Sequence, residues 1–279
     1  MKLKRNTIGD MLNYLFYLII IIVFGGPTLW LLSLSLRSPQ QLIMYPPKLF
    51  PNPITTEAYK EVFKGGEIFT FLINSIKISF FASFGTLFVA IPSAYGLSRF
   101  EFKKKDLLLL IILLFQMVSP IIIIIPLYKY FSKIGLLNSH FGTILVYIAY
   151  LLPLITWLLK GFFDCVPKSI EEAAMIDGCS RFLSLIRIIL PISITGIYAA
   201  FIFAFLLSWA QFIIPLILID NFNLLPISVG IYTFAVERSG VSTHIVSAAA
   251  FIVILPPILI FAFLQRYIIK LITVGAIKG

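Results

Sequence analysis

Residues 141–163 read FGTILVYIAYLLPLITWLLKGFF, and residues 164–190 continue with DCVPKSIEEAAMIDGCSRFLSLIRIIL. The first stretch is an apolar run of the length that a helix needs to cross a bilayer, which is about 20 residues. The second stretch is polar, and another apolar run begins at Ile192. This alternation predicts membrane-spanning helices joined by polar loops, with an unusually long loop at residues 164–190.

The composition of the whole chain points to the same environment. Of its 279 residues, 60% are hydrophobic and only 12% are charged, and the mean hydropathy is +1.03. About a quarter of the residues in a soluble domain are charged, and a soluble fold of this size could not hide so much apolar surface. The length fits five to seven spans of about 20 residues with their loops. We therefore predict an all-α, polytopic membrane protein.

Six apolar runs are long enough to cross a bilayer. The predicted spans are residues 12–36, 69–95, 107–127, 141–163, 192–219 and 245–264. The first run is too long for a signal peptide and lacks a small-residue cleavage site, so we expect it to be retained. Pro120 and Pro126 should kink or break the third span, because proline has no N–H to donate. We divide the chain into residues 1–68, the first span with an external loop, and residues 69–279, the core.

Lysine and arginine residues are distributed unequally between the two sides of the predicted membrane. With a cytoplasmic N-terminus, fourteen of them lie in cytoplasmic segments and seven on the opposite side. By the positive-inside rule, this bias predicts that both termini and the 164–190 loop are cytoplasmic. We attribute the net charge of +10 to this excess of lysine and arginine in cytoplasmic segments. Nucleic-acid binding would need a clustered basic face, which the sequence does not show.

Several functional classes need groups that this sequence lacks. No aspartate or glutamate lies within a predicted span, and both histidines lie in loops. Proton-driven carriers usually need a buried carboxylate or histidine. The sequence contains no G-x-x-x-x-G-K-[ST] phosphate loop, and no Ser-His-Asp or Cys-His set can be assembled on one side of the membrane. We predict a non-enzymatic protein without metal or cofactor, so energy for active transport would come from another polypeptide.

The polar loop predicts two short helices separated by a glycine. Ser169 can cap the first helix, and Glu172, three residues later, completes a capping box. Residues 170–177 then make about two helical turns, and Gly178 is a helix stop. A second amphipathic stretch covers residues 181–190. Helix, glycine turn and helix form a compact shape against which another protein can pack.

The loop resembles the conserved cytoplasmic loop of importer permeases of the ATP-binding cassette (ABC) type. The signature of that family is E-A-A, three residues, G, nine residues and I-x-L-P. Glu172-Ala173-Ala174 is followed at these spacings by Gly178 and by residues 188–191. Residues 92–100 (PSAYGLSRF) and 224–230 (LLPISVG) are similar to segments of the carbohydrate branch. The ending at residues 275–279 (GAIKG) resembles the C-terminus of the maltose-type, six-span partner.

The resemblance implies an ABC importer type I permease fold in the inner (cytoplasmic) membrane. It implies a heterodimer with a second permease, an ABC ATPase dimer in the cytoplasm and an external sugar-binding protein. In that family the first loop helix docks in a cleft on the ATPase, and ATP binding drives alternating access. The implied coupling residues are Glu172, Ala173, Ala174, Asp177, Gly178 and Arg181. The implied tail contacts with the ATPases are Gly275, Ala276, Ile277, Lys278 and Gly279.

Sugars are bound by aromatic faces and by amide or hydroxyl groups. The candidates within the predicted spans are Asn74, Gln116, Tyr147, Trp209 and Gln211. The stretch at residues 209–212 (WAQF) departs from the family, whose members often carry a Trp-Asn-Glu/Asp type sequence there. Two alternatives remain: the same machinery carrying another solute, such as glycerol phosphate or a polyamine, and a secondary carrier or channel that works alone.

Overall fold

The computed structural model describes residues 7–46, 49–237 and 243–276, and the regular structure within these ranges is helical throughout. The helices in chain order are α1 (Thr7–Ser35), α2 (Pro39–Leu42), α3 (Glu57–Lys64), α4 (Glu67–Arg99), α5 (Lys105–Gln116), α6 (Pro120–Lys133), α7 (His140–Asp164), α8 (Lys168–Ile176), α9 (Arg181–Ser184), α10 (Leu190–Ile192), α11 (Ile194–Trp209), α12 (Ile213–Leu218), α13 (Ile227–Glu237) and α14 (Thr243–Ala276). A π-helical turn, Leu185–Ile189, joins α9 to α10, and a 3-10 turn, Phe222–Leu224, precedes α13.

Four of these helices are long and apolar enough to cross a membrane without a break. Their candidate spans are Asn13–Ser35, Glu67–Arg99, His140–Asp164 and Thr243–Phe263. They confirm the first, second, fourth and sixth predicted spans. Helix α14 also continues to Ala276, twelve residues beyond the end of the sixth predicted span.

The third predicted span consists of two helices. Helix α5 ends at Gln116, and α6 begins at Pro120. Proline suits the first position of a helix because the N–H it lacks would have no intrahelical partner there. The break expected at Pro120 is therefore confirmed, whereas Pro126 lies inside α6.

The fifth predicted span is also interrupted, between Trp209 and Ile213. Pro215 has no N–H to donate to the carbonyl of Gln211, as a continuous helix would require. The hydroxyl of Ser228 donates to that carbonyl instead, at 2.7 Å. Ahead of α11, the chain bends by 80° between residues 181–192 and residues 194–209. If this bent pair is counted as one span, the described residues have five candidate spans, and a count of six also requires the α5–α6 segment.

The chain forms two compact units. They are Met1–Phe69 with Ile231–Leu255, and Thr70–Gly230 with Pro256–Gly279. In the first unit, the end of α1 is tied to the segment that follows it. The hydroxyl of Ser33 donates to the carbonyl of Leu49 at 2.5 Å, and Ser35 is hydrogen-bonded to the Tyr59 hydroxyl at 2.7 Å.

The core of the second unit joins α4, α7, the π-turn and α11. Its buried members include Ala90, Ala94, Leu151, Ile155, Leu159, Leu185, Ile189, Ala200 and Ala204. Helix α11 approaches α7 closely at Gly196, where an added Cβ would lie 2.5 Å from the ring of Phe162. Since Leu185 and Ile189 belong to this core, the polar segment after α7 is anchored to the helices by its second half.

Candidate functional site

The loop after α7 has the predicted shape of helix, glycine turn and helix. Helix α8 ends at Ile176, and Gly178 follows with a φ of +88°. This left-handed conformation favours glycine, which has no Cβ to clash. The N–H of Gly178 donates to the carbonyl of Met175 at 3.1 Å, and the N–H of Cys179 donates to that of Ala174 at 3.0 Å. Gly178 therefore closes α8 and redirects the chain toward α9.

The start of α8 differs from the prediction. The helix begins at Lys168, and Pro167 occupies the capping position without a side-chain hydrogen bond. Ser169 is already within the first helical turn, so it cannot serve as the residue that caps it. The predicted capping box of Ser169 and Glu172 is therefore wrong, because the helix starts two residues earlier than that box requires.

The two faces of α8 have opposite environments. Glu171 and Ala174, three residues apart on one face, are only 4% and 8% exposed. The residues predicted for coupling, apart from Ala174, are exposed: Glu172, Ala173, Asp177, Gly178 and Arg181. Ile176 is 87% exposed and Phe182, just beyond the turn, is 70% exposed. One face of α8 thus holds the loop in place, and the opposite side presents acidic and apolar groups outward.

The buried face is fixed by an ion pair that the sequence analysis did not identify. The carboxylate of Glu171 lies 2.8 Å from Nε of Arg99 in the last turn of α4, and the side chains are 5% and 6% exposed. The hydroxyl of Tyr95 donates to the other carboxylate oxygen. A buried charge is stable only when it is paired and hydrogen-bonded, and here each oxygen of Glu171 has a donor.

Further contacts join the end of α4 to other parts of the loop. Nη2 of Arg99 donates to the carbonyl of Val166 at 3.0 Å, just ahead of α8. The Ser98 hydroxyl donates to Asp164 at 2.6 Å. Beyond the glycine turn, the guanidinium of Arg181 lies 4.8 Å from the centre of the Phe100 ring. The loop is therefore bound to the end of α4 before, within and after α8.

A second ion pair lies at the surface of the same region. Nζ of Lys168 is 2.9 Å from Oε1 of Glu101, and the two side chains are 52% and 84% exposed. The hydrogen bond from Lys168 holds the pKa of the Glu101 carboxyl below its usual range. Exposed pairs contribute little to stability, so we expect this pair to hold the loop less firmly than the buried pair does.

Asn74 is one of the five residues predicted to contact sugar, and it is buried. Its amide nitrogen donates to the carbonyls of Asn223 and Leu225 at 2.9 and 3.1 Å. The hydroxyl of Ser75 accepts from the N–H of Ile227 at 2.7 Å. In this conformation both hydrogens of the Asn74 amide hold the segment ahead of α13.

The other four candidates are distributed over α5, α7 and the α11–α12 break. Tyr147 is 1% exposed, inside α7. Oε1 of Gln116 and Nε1 of Trp209 are buried and have no hydrogen-bond partner among the described residues. The Trp209 ring stacks on Phe205 with centroids 5.8 Å apart. Gln211 lies in the break itself and is half-buried.

A cavity of about 530 Å³ lies between the α5–α6 segment and α7. None of the five sugar candidates lines it. Its walls are mainly apolar, with Phe115, Ile123 and Leu152 among the lining residues. It lacks the amide groups and the density of hydroxyl groups that sugar recognition needs.

The predicted tail contacts fall at the end of α14. Gly275 and Ala276 are its last helical residues. Ile277, Lys278 and Gly279 lie outside the described residues.

Comparison with known proteins gives one family. Residues 86–274 match the family model described as "Binding-protein-dependent transport system inner membrane component". A sulfoquinovosyl glycerol transport permease of Agrobacterium fabrum is 30% identical over 91% of this chain and 88% of its own length. A galactooligosaccharides transport permease of Bacillus subtilis is 30% identical over 100% of this chain and 99% of its own length. A trehalose/maltose transport permease of Thermococcus litoralis is 30% identical over 91% of each chain.

Solved structures agree with the fold. A chain of a bacterial ABC transporter that imports the acidic polysaccharide alginate has a TM-score of 0.80. It is 21% identical, and the match covers 96% of this chain and 99% of that one. A chain of an alginate ABC transporter in complex with a periplasmic protein carrying an alginate pentasaccharide has a TM-score of 0.68 at 18% identity.

Proposed function

Because the chain belongs to the family of binding-protein-dependent transport system inner membrane components, we propose that it is a permease subunit of an ABC importer for a carbohydrate. A second permease, an ATPase dimer and an external binding protein complete the machine. The chain itself is a translocation subunit and not an enzyme. The chain forms half of the translocation path and couples ATP hydrolysis on the ATPase dimer to alternating access.

The observation that carries the coupling role is the two-sided environment of α8. Glu171 and Ala174 hold one face of the helix, while Glu172 and Ile176 project from the other. An isoleucine that is 87% exposed on a short helix outside the candidate spans favours a protein partner. We assign a polar contact with the ATPase to Glu172 and close packing to Ala173.

The remaining coupling residues have supporting roles in this proposal. Gly178 supplies the turn that sets α9 beside α8, and Asp177 flanks it at the docking surface. Arg181 is a second contact, oriented by its stacking on Phe100. Residues 275–279 are proposed to reach between the two ATPases.

The orientation and organisation follow from the same proposal. The 164–190 loop and both termini face the cytoplasm, which the excess of lysine and arginine on that side supports. Residues 69–279 form the permease core, and residues 1–68 add a span and an external loop. The family match over residues 86–274 lies within that proposed core.

The substrate class is inferred from the relatives. Transport permeases for sulfoquinovosyl glycerol, galactooligosaccharides and trehalose/maltose are each 30% identical to this chain. Within the path, we favour Gln116 and Trp209 as sugar contacts. Their buried polar atoms have no partner among the described residues, and a substrate hydroxyl could satisfy them.

Uptake by cells that express the complete importer tests the proposal. We expect ATPase subunits to co-purify with the tagged chain. Uptake of radiolabelled trehalose, maltose or galactobiose should stop when ATP is depleted and continue when an uncoupler collapses the proton gradient. The opposite pattern, uptake that survives ATP depletion and stops with the uncoupler, would identify a secondary carrier. If glycerol 3-phosphate or spermidine is imported in an ATP-dependent way and sugars are not, the chain is still an ABC importer subunit, but the carbohydrate assignment is wrong.

A further inference from the structure

The coupling loop and the second span are joined by a polar cluster that is isolated from solvent. It consists of Glu171 on α8 with Tyr95 and Arg99 in the last two turns of α4, and we name it the α4–α8 latch. Both charged side chains are about 95% buried. Transferring charges from water into a protein interior is unfavourable, so a loop that needed only to connect two spans would have no use for them there.

The hydrogen bonds of the latch define one relative position of α8 and α4. Tyr95 and Arg99 are four residues apart, on one face of α4, and each donates to a different oxygen of Glu171. Arg99 also donates to the carbonyl of Val166, so it holds the backbone ahead of α8 as well. The Tyr95 hydroxyl lies 3.3 Å from the carbonyl of Arg181, beyond the glycine turn. The directional bonds to Glu171 and to the Val166 carbonyl fix the loop more strictly than apolar packing alone.

The loop already has one connection to the helices that follow it, because α9 runs through the π-turn and α10 into α11. No covalent connection of this kind joins α8 to α4, which is more than 60 residues earlier in the chain. The latch bridges this separation with buried charges, unlike the exposed pair of Lys168 and Glu101 beside it. A displacement of α8 can therefore reach α4 directly as well as α11.

We propose that Glu171, Arg99 and Tyr95 make α8 and α4 one rigid body, so that movement of the coupling helix by the ATPase is transmitted to the second span. This inference rests on the proposed docking of α8. Glu171 is a positioning residue that acts from the face opposite the docking surface. The latch differs from the neighbouring pair of Lys168 and Glu101, which is exposed and free to rearrange.

Transport per ATP separates this role from simple folding. The test uses the complete importer in proteoliposomes, with whichever of radiolabelled trehalose, maltose and galactobiose the unaltered complex imports. Glu171→Gln should lower the number of sugars imported per ATP hydrolysed by about tenfold, a typical range for residues on a coupling path. Tyr95→Phe, which removes one hydrogen bond and leaves no charge unpaired, should lower it by about threefold. The control Glu101→Gln, which breaks only the exposed pair, should leave the ratio unchanged.

The double variant Arg99→Met with Glu171→Met removes the latch without leaving a buried charge. If the cluster served stability alone, this variant would regain the normal ratio together with normal assembly. We expect it to assemble and to remain poorly coupled. A normal ratio in this variant, or in Glu171→Gln, would overturn the latch.

Spin labels decide the same question without a transported sugar. With Cys165 and Cys179 replaced by serine, labels at Ser169→Cys on α8 and Phe88→Cys on α4 report their separation. We expect one narrow distance, identical without nucleotide and with ATP and vanadate, that broadens in Glu171→Gln. An unaltered distribution in that variant would refute the latch. Absence of ATP-driven uptake in the unaltered importer would instead refute the proposed function, and the distances would then decide the latch alone.

Discussion

Nε of Arg99 lies 2.8 Å from Oε2 of Glu171, and neither side chain is more than 6% exposed. Removing one member of such a pair leaves an uncompensated charge in the interior, which costs about 3–5 kcal/mol, whereas replacing both with apolar residues is often neutral. Arg99→Met alone should therefore destabilise the protein by about that amount, and the double Met variant should recover most of it. Unfolding of the detergent-solubilised complex measures both. Equal losses in the single and double variants would contradict a buried pair.

Gly178 offers a second prediction, because its φ of +88° is accessible to few other residues. A Cβ would meet no atom within 4 Å, so any penalty comes from the backbone and not from a clash. Gly178→Val should distort the turn and reduce sugar uptake per ATP, with membrane insertion preserved. Gly178→Asn is the matched control, because asparagine tolerates the left-handed region and should retain most of the coupling. Similar coupling in both variants would show that the turn geometry is unimportant.

The exposed side of α8 gives a third prediction. Ile176 is 87% exposed and Phe182 is 70% exposed. Ile176→Asp places a second carboxylate beside Asp177 on the proposed docking surface and should reduce co-purification of the ATPase by about tenfold. Ile54→Asp makes the same change at an exposed isoleucine of the proposed external loop and serves as the control. Equal co-purification of the ATPase by Ile176→Asp and by the unaltered chain would argue against docking through this side.

Glu171 and Glu172 mark the limit of what the sequence could predict about this site. The family signature draws attention to Glu172, and the structure leaves that residue exposed while it buries its neighbour. Adjacent residues on a helix point about 100° apart, so only one of two consecutive glutamates can face a given neighbour. Choosing between them requires the position of α4. The available signal was the three-residue spacing of Glu171 and Ala174, which predicts a shared face.

The spans were predictable where hydrophobicity alone decides, as in α7, whose bounds differ from the predicted ones by one residue at each end. The spans were less predictable where a helix break depends on which group satisfies a freed backbone carbonyl. Pro120 could be recognised as a breaking point in advance, because the missing N–H is a property of the residue. The break before Pro215 depends on the Ser228 hydroxyl, which satisfies the carbonyl of Gln211 from another segment. Asn74 was likewise predicted to contact sugar, because the two carbonyls that its amide binds belong to Asn223 and Leu225, which are distant in sequence.

Trp209 provides the last prediction, because its indole N–H is buried without a partner among the described residues. An unsatisfied buried donor costs about 1–3 kcal/mol, so Trp209→Phe should slightly raise the thermal stability of the sugar-free protein. The stacking on Phe205, at 5.8 Å between centroids, would be retained by the smaller ring. If the indole N–H binds a sugar hydroxyl during transport, the same variant should raise the KM of uptake by about three- to tenfold, the value of one hydrogen bond. Trp157→Phe, at a half-exposed position on α7, controls for the loss of an indole elsewhere. A more stable Trp209→Phe variant with an unchanged KM would assign Trp209 to packing alone and leave the sugar contacts to Gln116 or to the second permease.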